Sequence, residues 1–265
     1  MAKATSAAST AQNSTTLKGL ARVGYAVDGV LHILIGALAI ATVVGASGQS
    51  ADQSGALQTI AEQPFGLVLI WVIVAGMIGL ALFYLASAIT THGSGKDEWM
   101  KRIKFIGKTV LYAALAAIAV SVALGGGSSG GGGESMTASL LENPLGVVLV
   151  VLIGLGALGV GVYQIVKGAR QKFFDDLTPP PAAIKKPVTI VGTLGYIAKG
   201  IAIATIGVLF IVAAFTHDPS NTAGIDGALK SLAQLPFGIV ILVVVALGFV
   251  LFGIYDFVRA RFAKL

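Results

Sequence analysis

The sequence predicts an all-α membrane protein: six transmembrane helices in three parallel two-helix repeats, pseudo-threefold about the membrane normal, with short external amphipathic helices. Three observations lead there. The chain is 55% hydrophobic and 11% charged, with mean hydropathy +0.88, whereas soluble domains carry about 25% charged residues. It cannot cover itself with a polar surface. Six apolar stretches approach or exceed the roughly 20 residues an α-helix needs to cross a bilayer. Finally, the chain matches itself at a shift of 80 residues, then at a further 91 or 92.

The six spans fall at about 23–46, 65–90, 105–125, 145–166, 191–215 and 237–258. Glycine and β-branched residues run through all of them. In lipid the cost of an unpaired backbone overrides their weak helix preference, and the alternation a barrel strand requires is missing. Residues 1–19, rich in Ala, Ser and Thr, read as a disordered cytoplasmic tail. The apolar run after them is longer than a signal-peptide core. Repeat one covers 20–92, repeat two 101–172 and repeat three 189–262.

The clearest repeat marks precede each second helix: "ALQTIAEQPFG" (56–66), "MTASLLENPLG" (136–146) and "ALKSLAQLPFG" (228–238). Apolar residues at i, i+1, i+4 and i+5 predict a short amphipathic helix on the outer membrane surface. Pro64, Pro144 and Pro236 are expected to end it and open the next helix, where a missing N–H costs nothing. "GGGSSGGGG" (125–133) reads as a flexible external linker. "TPPPAAIKKP" falls in a proline-stiffened cytoplasmic linker at 173–188, which Lys185 and Lys186 hold near anionic lipid.

Basic residues set the orientation. Fifteen of the 18 Lys and Arg lie in the N-terminal tail, the second and fourth connections and the C-terminus. The other connections hold only Lys230, against Asp52, Glu62, Glu134, Glu142, Asp218 and Asp226. The positive-inside rule then places both termini in the cytoplasm, with the protein in the plasma (inner) membrane. The same asymmetry explains a pI near 9.6 without nucleic acid as a partner.

The glycine-flanked "GYAVDG" and "GYIAKG" starts of repeats one and three, with the three Pro-Phe/Leu-Gly turns, resemble the bacterial integral-membrane family called domain of unknown function 1206. The likeness covers 20–262. In that family a two-helix unit occurs three times, and first helices commonly begin with a Gly-Tyr-x-x-Lys-Gly-like pattern. Lys199 keeps that pattern and Asp28 breaks it, while repeat two has Phe105, Lys108 and Thr109 at the Tyr, Lys and second Gly places. The resemblance implies architecture and brings no activity.

Under the repeat register Asp28, Lys108 and Lys199 are one position seen three times, as are His32, Tyr112 and Ile203. Were the first helices to form an inner ring, one acid would oppose two lysines, and charges at membrane depth usually pair. Tyr84, Gln164 and Asp256 form a second equivalent set, with Asp256 a further partner for Lys199. Asp28, His32, Lys108, Lys199, Asp256, Gln164 and Tyr84 are therefore the candidate intramembrane polar cluster. Structural pairing or snorkelling to the headgroups is the plain alternative to transport.

Enzyme signals fail one by one. There is no cysteine, which removes thiol nucleophiles and thiolate metal sites. "GLGALG" (154–159) matches a dinucleotide pattern but lies within a predicted membrane helix with no preceding strand, so helix packing through small residues accounts for it better. "GKT" (107–109) lacks the earlier glycine of a phosphate loop. The histidines have no metal-ligand spacing, and no cofactor is implied. The expected function is a non-enzymatic structural or accessory subunit, with the bilayer, other membrane proteins or itself as partners. The alternative is a small transporter or channel with a polar path near Asp28, Lys108 and Lys199.

Overall fold

The computed structural model describes residues 14–45, 48–91, 95–126, 132–222 and 224–265. The expected tail up to residue 13, and 127–131 of the glycine run, lie outside these. Six long helices carry the fold: α1 (Thr15–Val43), α3 (Gly66–Thr90), α4 (Lys96–Ala123), α6 (Pro144–Ala169), α7 (Ala182–Thr216) and α9 (Gly238–Phe262). Each is long and apolar enough to cross a membrane. Between the helices of each pair lies a short one: α2 (Gln53–Ala61), α5 (Gly132–Leu141) or α8 (Gly224–Ala233). The chain is a multi-pass membrane protein of three helix–short helix–helix units.

Three boundaries differ from the sequence reading. Helix α1 starts at Thr15, inside the expected tail, and α4 starts at Lys96, where Asp97 and Glu98 in its first turn suit the helix dipole. Helix α7 starts at Ala182 and runs through Pro187, so the linker is shorter than 173–188. Ala182 and Ala183 are strong helix formers, and Ile184 packs against a cluster of Phe173, Tyr196, Phe252 and Tyr255. What remains of the linker is pinned. A 3₁₀ turn covers Lys172–Asp176, Thr178 N–H donates to the Phe262 carbonyl at 2.7 Å, and Lys264 N–H donates to that of Asp176 at 3.0 Å.

The turns before the second helices also differ. Only Pro144 is the first residue of its helix. In the other two repeats the helix starts at the glycine, and Phe65 (φ 64°) and Phe237 (φ 60°) before it are left-handed. Gly66, Gly146 and Gly238 share one requirement. A Cβ on any of them would collide with a carbonyl of the preceding short helix, at Ile60, Leu140 or Ala233.

The helices pack in the order α6, α7, α9, α1, α3, α4. The most extensive contacts join the second helix of one repeat to the first helix of another: α6 on α7, α9 on α1 and α3 on α4. The first helices thus alternate with the second helices and do not pack side by side as an inner ring. Small residues permit the close crossings. An added Cβ on Gly29 would lie 2.7 Å from the Gly253 carbonyl oxygen, and one on Gly200 would lie 2.7 Å from that of Gly161. At the equivalent place between α3 and α4 stand Ala81 and Thr109. Within repeats α1 packs on α3 and α7 on α9, but α4 and α6 barely approach each other.

Candidate functional site: a buried polar network

On α1, Tyr25, Asp28 and His32 follow at spacings of three and four, so they share one face. Helix α9 crosses that face, bringing Asp256 and Arg259. Asp28, His32, Asp256 and Arg259 are 5%, 3%, 0% and 7% exposed. The Nδ1 of His32 lies 2.7 Å from the Asp28 carbonyl oxygen, and so carries the proton and donates. Its Nε2 is then the acceptor for the Lys199 ammonium at 2.9 Å, which also sits 4.2 Å from the Phe252 ring centre. Nδ1 is 3.6 Å from both Asp28 Oδ1 and Asp256 Oδ2. Arg259 donates to Asp256 Oδ1 at 2.7 Å, leaving the buried Oδ2 without a hydrogen bond. Two carboxylates thus face two cations across a neutral imidazole, the balance that burial demands.

The network continues toward α4. The Arg259 guanidinium covers the Tyr25 ring at 4.1 Å, and the Tyr25 and Tyr84 hydroxyls are hydrogen bonded. Lys108 donates to Tyr84 at 3.2 Å and lies 4.4 Å from its ring centre. Tyr84 stacks on Tyr112 with ring centres 5.8 Å apart. A cavity of about 210 Å³ opens beside this stretch, lined among others by Tyr25, Tyr84, Lys108, Asp175, Asp176 and Arg259. On its flank Lys167 meets Asp176 at 2.5 Å. Partial burial works against the Asp176 charge, but the lysine and its hydrogen bond outweigh it and hold the carboxyl below the usual range.

The sequence-derived candidates are thus divided. Asp28, His32, Lys199 and Asp256 come together. Tyr84 and Lys108 stand at the far end of the same network, so Lys108 does not meet Asp28. Gln164 is half-buried on α6, the helix that packs on α7. Arg259, at the centre, was missed because it reads as a cytoplasmic end charge; its i, i+3 spacing from Asp256 is the signal for it.

Asp28, His32 and Asp256 can bring one ligand atom each to within 4.8 Å of one another, the residue types that hold a divalent ion. Both His32 nitrogens are engaged, however, and Lys199 and Arg259 already supply the positive charge. The set fits ion pairing better than a metal.

The family described as Domain of Unknown Function (DUF1206) matches at residues 23–91, 103–171 and 194–263. The chain belongs to that family. Its three units start 80 and then 91 residues apart and end 80 and then 92 apart, the register that equates Asp28, Lys108 and Lys199. The chain is similar to the uncharacterized protein YxxB of Bacillus subtilis (strain 168), 35% identical over 249 residues, 92% of this chain and 90% of that protein. No solved structure matches.

Proposed function

We propose that this DUF1206 member is a non-enzymatic bundle serving as a structural or accessory subunit of a membrane complex. It sits in the plasma (inner) membrane with both termini in the cytoplasm. One observation carries the reading: Asp28, His32, Lys199, Asp256 and Arg259 are engaged with one another, tying α1, α7 and α9 together. The cavity is lined only by residues near the end of the bundle where the chain starts and finishes. The concentration of Lys and Arg at that end supports the orientation. The test is gentle extraction of the tagged chain from native membranes followed by sizing and protein identification. A stoichiometric companion, or a defined self-assembly, is the expected result; a lone monomer removes the basis for the reading.

A second reading, a small transporter, draws on the unbonded Asp256 Oδ2 beside His32. It requires proton or solute flux in liposomes that changes with Asp28→Asn or with charge removal at Lys108 and Lys199. Equal and negligible flux in wild type and variants counts against it.

A further inference from the structure

Repeat two departs from the other repeats at a position where its two helices stand apart. In repeats one and three the position is Gly24 or Gly195, and there the two helices of the unit meet. A Cβ on Gly24 would strike the Gly76 carbonyl, and one on Gly195 would lie 2.6 Å from Phe252 Cα. In repeat two it is Lys104. Opposite, Gly156 and Gly159, the counterparts of Gly76 and Gly79, have open space before them. Burial follows the same division. Val160 and Tyr163 are 51% and 46% exposed, whereas their counterparts Leu80 and Phe252, Phe83 and Tyr255 are 5% exposed or less.

One side-chain contact spans the gap between α4 and α6. The Lys104 ammonium reaches the Tyr163 hydroxyl at 3.4 Å and lies 5.0 Å from its ring centre. Gly156 and Gly159 put no side chain into the gap and meet nothing within 4 Å, which leaves room for an acyl chain. The walls are apolar, with Leu111 on α4 and Val160 on α6 both about half exposed. The rim is cationic: Lys101 lies one turn from Lys104, and Arg170 two turns beyond Tyr163. The nearest acids on α4, Asp97 and Glu98, are about two turns further out, and Asp176 is already held by Lys167. A free inorganic anion would find no use for the apolar walls.

We propose that the α4–α6 gap is a lipid site. It seats one acyl chain of an anionic phospholipid against Gly156 and Val160, with the phosphate on Lys104 and Tyr163. The residue that stands where the other repeats have glycine is the one that holds the headgroup.

The test uses the full chain, reconstituted with equal amounts of phosphatidylglycerol and phosphatidylcholine and released for native mass spectrometry. Wild type is expected to retain one phosphatidylglycerol in preference to phosphatidylcholine. Lys104→Gln should lower that retention about fivefold, the effect of one lysine at an anionic surface. Val160→Trp should abolish retention while Lys104 remains in place. Both changes fall on exposed side chains, so the fold is preserved, which thermal unfolding checks. Equal retention of the two lipids, or full retention in Val160→Trp, overturns the site. A photoreactive benzophenone side chain at position 160 gives an independent reading in native membranes. An adduct of phospholipid mass is expected, and an adduct with a protein overturns the lipid as occupant.

Discussion

Arg259 and Asp256 show how much rests on single partners inside this bundle. Removing one charge of a buried pair leaves the other uncompensated, at a cost of about 3–5 kcal/mol, whereas replacing both with apolar residues is often neutral. Arg259→Leu should therefore sharply lower the thermal unfolding midpoint in nanodiscs, and Arg259→Leu with Asp256→Leu should recover most of the loss. A double variant as unstable as the single would show that the pair is not the unit. Asp176 makes a pH-dependent contribution of opposite visibility. Its carboxyl is held low by Lys167, so its stabilisation is complete above the usual carboxylate range and disappears as pH falls through the depressed value. Asp176→Asn should flatten the acid limb of a stability–pH profile and cost under about 1 kcal/mol near neutrality, because its side chain is 43% exposed. Asp28, His32, Lys199 and Asp256 were legible from the repeat register, because ionisable residues in an apolar run must find partners. The contacts were not. Register equates positions along the chain but leaves open which helices neighbour each other, so it sets Lys108 opposite Asp28 although Tyr84 holds it elsewhere.

At the level of the helices, the small residues divide into those that touch and those that do not. A Cβ on Gly161 would lie 2.5 Å from the Ala204 backbone nitrogen, and Gly156, on the other side of α6, has nothing within 4 Å. Gly161→Ala is thus expected to destabilise by about 1–3 kcal/mol, as overpacking does. Gly156→Ala should stay within about 0.5 kcal/mol of wild type, as surface changes do. The two melting curves, measured side by side, check that α6 packs on α7 through its Gly161 face. Sequence foresaw "GLGALG" as a packing element, and Gly154 does pack, against Gly207 and Ile211. It could not tell that Gly156 and Gly159 meet nothing within 4 Å, since that depends on where α4 lies. Helix starts were misplaced for a similar reason. Lys96–Lys104 and Ala182–Lys186 are too polar to read as membrane span, yet nothing in them stops a helix.

For the molecule as a whole, the absence of native cysteine makes topology directly measurable. Single cysteines at Thr178 and Leu265 should react alike with an impermeant reagent in inside-out vesicles, and one at Asp218 only in right-side-out vesicles. Opposite behaviour of Thr178 and Leu265 would contradict an even number of crossings between them. The six-span, three-repeat plan was readable because hydropathy and self-similarity survive divergence. The failure of repeat two to close on itself was not, because self-similarity does not reveal which helices touch. The packing of α9 against α1 has a further consequence, for assembly in time. His32 meets Lys199, and Asp256 lies beside it, yet these residues are 167 and 224 positions later in the chain. At about 5–20 residues per second of synthesis, the first helix waits on the order of ten seconds or more for its counter-charges. Until then it carries an acid into the membrane unaccompanied, so the newborn chain must shelter α1 at the insertion machinery or the interface, and a product cut short after repeat two never completes the exchange.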